Sequence, residues 1–188
     1  GNSIIKDLVQ GEVNISNSII EDFIILRKDG SPTYQLSAVV DDHLMKITHV
    51  IRGQEFLSST PKHIVLYEAF GWDVPAMVHV AWILGKDKKK LSKRDDSVSV
   101  DDYKDMGILP DALNNYLALL GWNPGGEREI YDLEDIVKEF DVKESQKSGA
   151  IWDLEKLLWF NGQYIREMKD EDYFAHALSV LEKDELLV

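Results

Sequence analysis

The amino-acid sequence predicts an α/β portion followed by an all-helical one. Before about Val98, short β-branched apolar runs bounded by Gly, Pro and Asp alternate with stretches of helical periodicity. After it the strand signals fade, and capped helical segments follow one another. With 188 residues the chain fits one ordinary domain or one domain with an appendage, and 44% hydrophobic residues can build a core.

Taken in order, "DFIILRK" (22–28) reads as a strand, stopped by the turn "DGSP" (29–32). Residues 36–45 carry helical spacing, and "KITHVIRG" (46–53) reads as a buried strand ended by Gly53. In "SSTPKHIVLYEAFGW", Ser59 or Thr60 suits the N-cap, Pro61 the first helical position and Gly71 the stop. "AMVHVAWIL" (76–84) is a third strand. Ser99 then caps "SVDDYKDMG", with Asp101 and Asp102 in the first turn and Gly107 at the stop. "LPDALNNYLALLGW" starts near Pro110 and ends before Gly121. Helical periodicity continues in "DLEDIVKEF", "DLEKLLWFNGQYIREM" and "DEDYFAHALSVLEKDELL". Trp122, Trp152 and Trp159, spaced with leucines, read as core.

Composition removes several function classes. There is no cysteine, so disulfides and thiolate metal sites are excluded. The five histidines show no metal-ligand spacing, and no protein-bound metal is expected. No apolar run approaches the ~20 residues of a membrane span. The N-terminus lacks a signal peptide's layout, so a soluble, intracellular protein without a membrane partner is expected.

One stretch runs against the overall charge. Lys and Arg total 21 against 34 Asp and Glu, a net charge of -13, yet Lys86, Lys88, Lys89, Lys90, Lys93 and Arg94 crowd into "KDKKKLSKRDD". On composition alone such a run reads as a solvated loop. Its place at the carboxyl end of a strand, where open α/β sheets put their ligands, favours a site. Lysines interleaved with Gly85 and Ser92 suit a triphosphate whose charge grows during reaction. No G-x-x-x-x-G-K-[ST] loop is present, so the phosphate device is a different one.

"KLSKR" (90–94) resembles the Lys-Met-Ser-Lys-Ser loop of class I aminoacyl-tRNA synthetases, with Leu91 and Arg94 as variants. Upstream, residues 29–72 resemble the catalytic domain of glutamyl-tRNA synthetases almost throughout. Downstream, "LPDALNNYLALLGW" and "DLEKLLWFNGQYI" resemble that family's stem-contact helices and the start of its anticodon-binding domain. The likeness runs from about Lys6 to Arg166. It implies the C-terminal half of a Rossmann-like catalytic domain over 1–98, a stem-contact region over 99–165, and the start of an anticodon-binding domain over 166–188. The family's His-Ile-Gly-His type signature is not in these residues. The expectation is therefore a fragment that does not form the adenylate by itself.

The resemblance also implies roles. Arg52 sits where the family reads the glutamate carboxylate, and a planar, always-charged fork suits that task. The alternative is a strand-end arginine in a structural ion pair. Glutaminyl enzymes of the same subclass lack this Arg, which favours glutamate. Tyr34 matches the tyrosine lining the amino-acid pocket, and Ala38 is assigned no contact. Asp41 and Asp42 carry at most a site-wall role. Glu55 falls in a segment near ATP and the tRNA acceptor end, although Gln54-Glu55-Phe56 departs from the family's pattern. Ile83 ends the strand whose backbone receives adenine. Lys90, Ser92 and Lys93 are the catalytic residues, with Lys90, Lys93 and Arg94 on ATP. Lys86, Lys88 and Lys89 supply general positive field. His49, His63 and His79 read as packing or surface residues.

The implied substrates are L-glutamate, ATP with Mg2+, and tRNA(Glu), in a monomeric parent of the cytoplasm or an organellar matrix. Three alternatives stay open: an enzyme that also charges tRNA(Gln), a truncated relative acting on a modified tRNA base, and a noncatalytic binding module of the same fold.

Overall fold

The computed structural model describes residues 1–91 and 99–183. Its described residues gather into two compact units, one of 1–82 with 142–148, the other drawn from 83–141 and 149–188.

The first unit opens with a hairpin that the sequence reading passed over. Strands β1 (Asn2–Asp7) and β2 (Gly11–Ser16) pair antiparallel. Helix α1 (Tyr34–Leu44) leads to β3 (His49–Gly53), and a 3-10 turn (Gln54–Ser59) runs into helix α2 (Thr60–Phe70). Strand β4 (Ala76–Val80) completes a sheet of order β2-β1-β4-β3, with β4 parallel to both β1 and β3. Ile5, Val39, Ile64, Leu66, Tyr67 and Met77 form its core.

Several expectations change here. Residues 22–28 make no strand; Leu26 forms a lone bridge to Pro32, and Ile24 and Leu26 are 71% and 53% exposed. Their apolar character is therefore not spent on this core. The turn at 29–32 does form. Gly30 takes φ 81°, and Asp29 accepts the Ser31 N–H. Strand β3 begins at His49 rather than 46, because Lys46 turns the chain at φ 57°.

Helix α2 stops at Gly71, left-handed at φ 69°, as its position predicts. Its start differs. Ser59 is the N-cap residue but makes no side-chain cap bond, donating instead to the Phe56 carbonyl. The preceding 3-10 turn already feeds the helix, and the Thr60 hydroxyl is committed elsewhere. The run 76–84 is also cut. Strand β4 ends at Val80, and Ile83–Leu84 form β5 in another sheet.

The second unit joins β5 in parallel to β6 (Ala150–Ile151). Its helices are α3 (Val100–Asp105), α4 (Pro110–Gly121), α5 (Leu133–Glu139), α6 (Leu154–Glu167) and α7 (Asp170–Lys183). Ser99 and Asp102 form a full capping box on α3. Gly121 lies inside the last turn of α4, whose C-cap is Trp122 in extended backbone.

The core joins Tyr103, Leu113, Tyr116, Trp152, Leu157 and Phe160. Two buried amides brace it. Asn161 accepts from the Leu109 N–H and donates to the Gly107 carbonyl, while Asn115 accepts from the Tyr131 N–H. Trp122 and Trp152 are buried as expected, but Trp159 is 43% exposed, on the outward side of α6. Among the described residues no helix is long and apolar enough to cross a membrane.

Candidate active site

Three parallel strand ends of the first unit meet around one guanidinium. The β3–β4 register sets Arg52 beside His79. Asp7, the last residue of β1, lies level with Met77, two residues before His79 and so on the same face of the sheet. All three sit at the carboxyl ends of their strands, where this sheet type presents its chemistry.

Each donor of Arg52 that the geometry resolves meets a neutral acceptor. Nε donates to His79 Nε2 at 3.1 Å, Nη1 to His63 Nδ1 at 3.2 Å, and Nη2 to Thr60 Oγ1 at 2.8 Å. Arginine has no acceptor, so it fixes both imidazoles. His79 must carry its proton on Nδ1, which donates to Asp7 Oδ2 at 2.6 Å. His63 must carry its own on Nε2, which donates to Gln35 Oε1.

Asp7 is held in turn by the N–H groups of Val9, Gln10 and His79 on Oδ1, at 3.0, 2.8 and 3.3 Å. Burial works to raise this carboxyl, but the hydrogen bonds from Gln10, His79 and Val9 outweigh it and hold it below the usual carboxylate range. Burial first, then the Arg52 charge, depresses His63 to about 4, so it stays neutral as its acceptor role requires. Among the described residues Arg52 makes no ion pair. The carboxylate in its hydrogen-bond network, Asp7, reaches it only through His79, while Asp42 feels its charge without pairing with it.

Aromatic faces border this cation. Tyr34, the first residue of α1 and 52% exposed, lies 6.2 Å from the Phe56 ring and 5.8 Å from the His63 ring. Arg52 stands 5.6 Å from the Phe56 centroid. Arg52 and Tyr34 thus share two neighbours. Glu55, on the 3-10 turn, accepts the Trp82 indole N–H at 2.7 Å. Burial raises the Asp42 carboxyl, with the Arg52 charge opposing.

In the second unit, residues 83–91 form a tight hairpin. Leu91 N donates to the Ile83 carbonyl, Gly85 N to Lys89 O, and Lys88 turns the chain at φ 63°. The Lys89 amide holds the Asp87 carboxyl below its usual range. Lys86, Lys88, Lys89 and Lys90 are exposed, whereas Leu91 packs against the helical core. Ser92, Lys93 and Arg94 lie outside the described residues.

Asp7, Gln35, Thr60, His63 and His79 are what the residue reading missed. The two histidines read as packing or surface are the acceptors that hold Arg52. One signal was present: a histidine inside the apolar strand "AMVHV" must find a polar partner when buried. His49 alone of the three is a surface residue.

A family model described as "tRNA synthetases class I (E and Q), catalytic domain" matches residues 1–159, E and Q being glutamate and glutamine. A glutamate--tRNA ligase of Halalkalibacterium halodurans is 50% identical over 181 residues, covering 95% of this chain and 37% of that protein. One from Moorella thermoacetica is 48% identical over 187 residues, covering 100% and 38%. The chain thus spans somewhat over a third of these relatives' length. A crystal structure of a glutamate tRNA ligase from Elizabethkingia meningosepticum, in complex with its amino acid, superposes with a TM-score of 0.89 at 36% identity, over 98% of this chain and 40% of that one. The glutamate-tRNA synthetase of Elizabethkingia anophelis gives 0.90 at 36%, over 100% and 42%. With the family model matched over most of its length, the chain belongs to the class I tRNA synthetases for glutamate and glutamine, as part of their catalytic domain.

Proposed function

We propose that this chain is the part of a glutamate--tRNA ligase that reads the side-chain carboxylate of L-glutamate and carries the lysines of the ATP site. The observation that carries the reading is Arg52: a cation at the strand ends, beside Tyr34 and Phe56, whose donors meet only neutral acceptors among the described residues. A charge left in that state favours an incoming carboxylate over an amide.

In the complete protein the glutamate α-carboxylate attacks the α-phosphorus of ATP. An O–P bond forms, the bond to the β-phosphate breaks, and pyrophosphate leaves with the Mg2+ that accompanied ATP. A terminal ribose hydroxyl of tRNA(Glu) then attacks the acyl carbon and expels AMP. Lys90, with Ser92, Lys93 and Arg94 after it, serves the leaving phosphates, where charge accumulates in the transition state. The backbone at Ile83 receives adenine. Glu55, tied to Trp82, borders the acceptor end. In the same reading residues 1–98 belong to the Rossmann-like domain, 99–165 contact the tRNA stem, and 166–188 begin the anticodon-binding domain. The setting is the cytoplasm or an organellar matrix, and the parent is a monomer.

The test is Arg52→Ala in the full-length protein, measured as amino-acid-dependent pyrophosphate exchange. Leaving a carboxylate unpaired costs ~2–5 kcal/mol. Glutamate kcat/KM is expected to fall at least ~30-fold, with glutamine activation nearly unchanged. Equal losses for both amino acids would make Arg52 structural. Lys93→Ala in the same assay is expected to lower turnover far more than it raises the glutamate KM, because its contact acts on the transition state.

A further inference from the structure

The Arg52 network contains a device beyond the arginine itself. We infer that Asp7 and His79 are positioning residues which aim Arg52 while withholding a counter-charge from it, and so set the preference for a carboxylate substrate. The inference rests on the reading of Arg52 given above.

A partly buried arginine, as Arg52 is, is most simply fixed by a carboxylate, but that carboxylate would also neutralise it. Here the carboxylate is set one residue back. Asp7 Oδ2 takes the Nδ1 proton of His79 at 2.6 Å, which leaves the Nε2 lone pair for Arg52 Nε at 3.1 Å. The imidazole therefore transmits orientation without placing a negative charge on the guanidinium. His79 is fully buried, Asp7 is 5% exposed, and the Gln10 amide is bound to the His79 carbonyl at 2.9 Å. The relay thus has little freedom to rearrange.

The geometry makes Asp7→Asn a pointed probe. Oδ1 already accepts three backbone N–H groups, so an asparagine must keep its oxygen there. Its NH2 then faces His79 Nδ1, which has to become the acceptor. The imidazole proton moves to Nε2, where Thr60 Oγ1 at 3.1 Å can accept it. Arg52 Nε is left facing a donor. The same logic makes an Asp→Asn change beside a catalytic imidazole impose the wrong tautomer. The fold keeps its hydrogen bonds, and what is lost is the aim of Arg52.

The experiment combines kinetics and tautomer spectroscopy. In full-length protein, Asp7→Asn is expected to raise the glutamate KM at least tenfold. The ATP KM and glutamine activation should stay within about twofold, narrowing the glutamate preference by at least tenfold. In 15N-histidine-labelled unmodified protein, His79 should give the Nδ1–H signature, replaced by Nε2–H in Asp7→Asn. Equal losses for glutamate and glutamine, or an unchanged preference, overturn the inference. An Nε2–H or doubly protonated His79 in the unmodified protein overturns it as well, and that measurement stands even if the variant does not fold. Arg52→Ala separates the two readings. If it abolishes the preference and Asp7→Asn does not, only the positioning role fails; if it leaves the preference intact, the arginine reading itself fails.

Discussion

A guanidinium gripped by two imidazole nitrogens and a hydroxyl is fixed in direction yet keeps its full charge. Glutamate and glutamine have nearly the same shape, so in the function proposed above that charge is the quantity able to separate them. The Thr60 hydroxyl is the simplest of the three grips to remove. Thr60→Val keeps the volume at a fully buried position but strands Nη2. A part-buried hydrogen bond lost on one side costs about 1–3 kcal/mol, so on the function proposed above the full-length protein should lose about tenfold in glutamate activation, seen in KM while kcat holds. Arg52 was legible from its residue type within a resembling passage. Its partners were not, because Asp7 and His79 are 72 residues apart and join only through the strand order β1-β4-β3.

Among the elements, two serines at helix starts behave oppositely. Ser99 caps α3 with its side chain on the Asp101 N–H, so Ser99→Ala should cost about 1 kcal/mol in thermal or urea unfolding. Ser59 precedes α2 without a cap bond, so Ser59→Ala should cost under half of that in the same measurement. Both look alike in sequence; the difference is the 3-10 turn that feeds α2. Leu91 makes a third case. Its side chain anchors the lysine-bearing hairpin to the helical core. Leu91→Met should preserve pyrophosphate exchange in the full-length protein, whereas Leu91→Asp should lower it severalfold. The helices were readable because caps, glycine stops and 3.6-residue spacing are local signals. The β1–β2 hairpin was not, since its inward positions include polar Ser3 and Asp7, which break the alternation that marks a half-buried strand.

For the whole molecule, acid is the informative stress. His63 is 3% exposed and titrates near 4 in the fold against 6.5 unfolded. Its depressed value means the unfolded chain binds the extra proton. Stability is then complete above about pH 6.5 and falls as pH drops toward 4, by about 2–3 kcal/mol. Asp7, also depressed, adds a further loss below its ordinary 3.8. The facing groups are Arg52, His79, Gln35 and the Tyr34 ring. Urea unfolding from pH 7 to 4 should show this slope, and His63→Gln should flatten it above pH 4. The division into α/β and helical portions was visible at this scale, because strand and helix periodicities differ along the chain. The place where the chain leaves the first sheet, between Val80 and Ile83, was not, since residues 76–84 are apolar throughout except for His79. The Asp7 carboxylate both ties down the bend after β1 and, through His79, steers the arginine. On the function proposed above, a fraying of that bend in the complete protein, by heat or by a side chain at Gly11 with its φ of 84°, would loosen discrimination before it lowered turnover. In a complete protein that works as proposed above, the first symptom would then be glutamine accepted in place of glutamate, arising from a bend set back from Arg52 by way of His79.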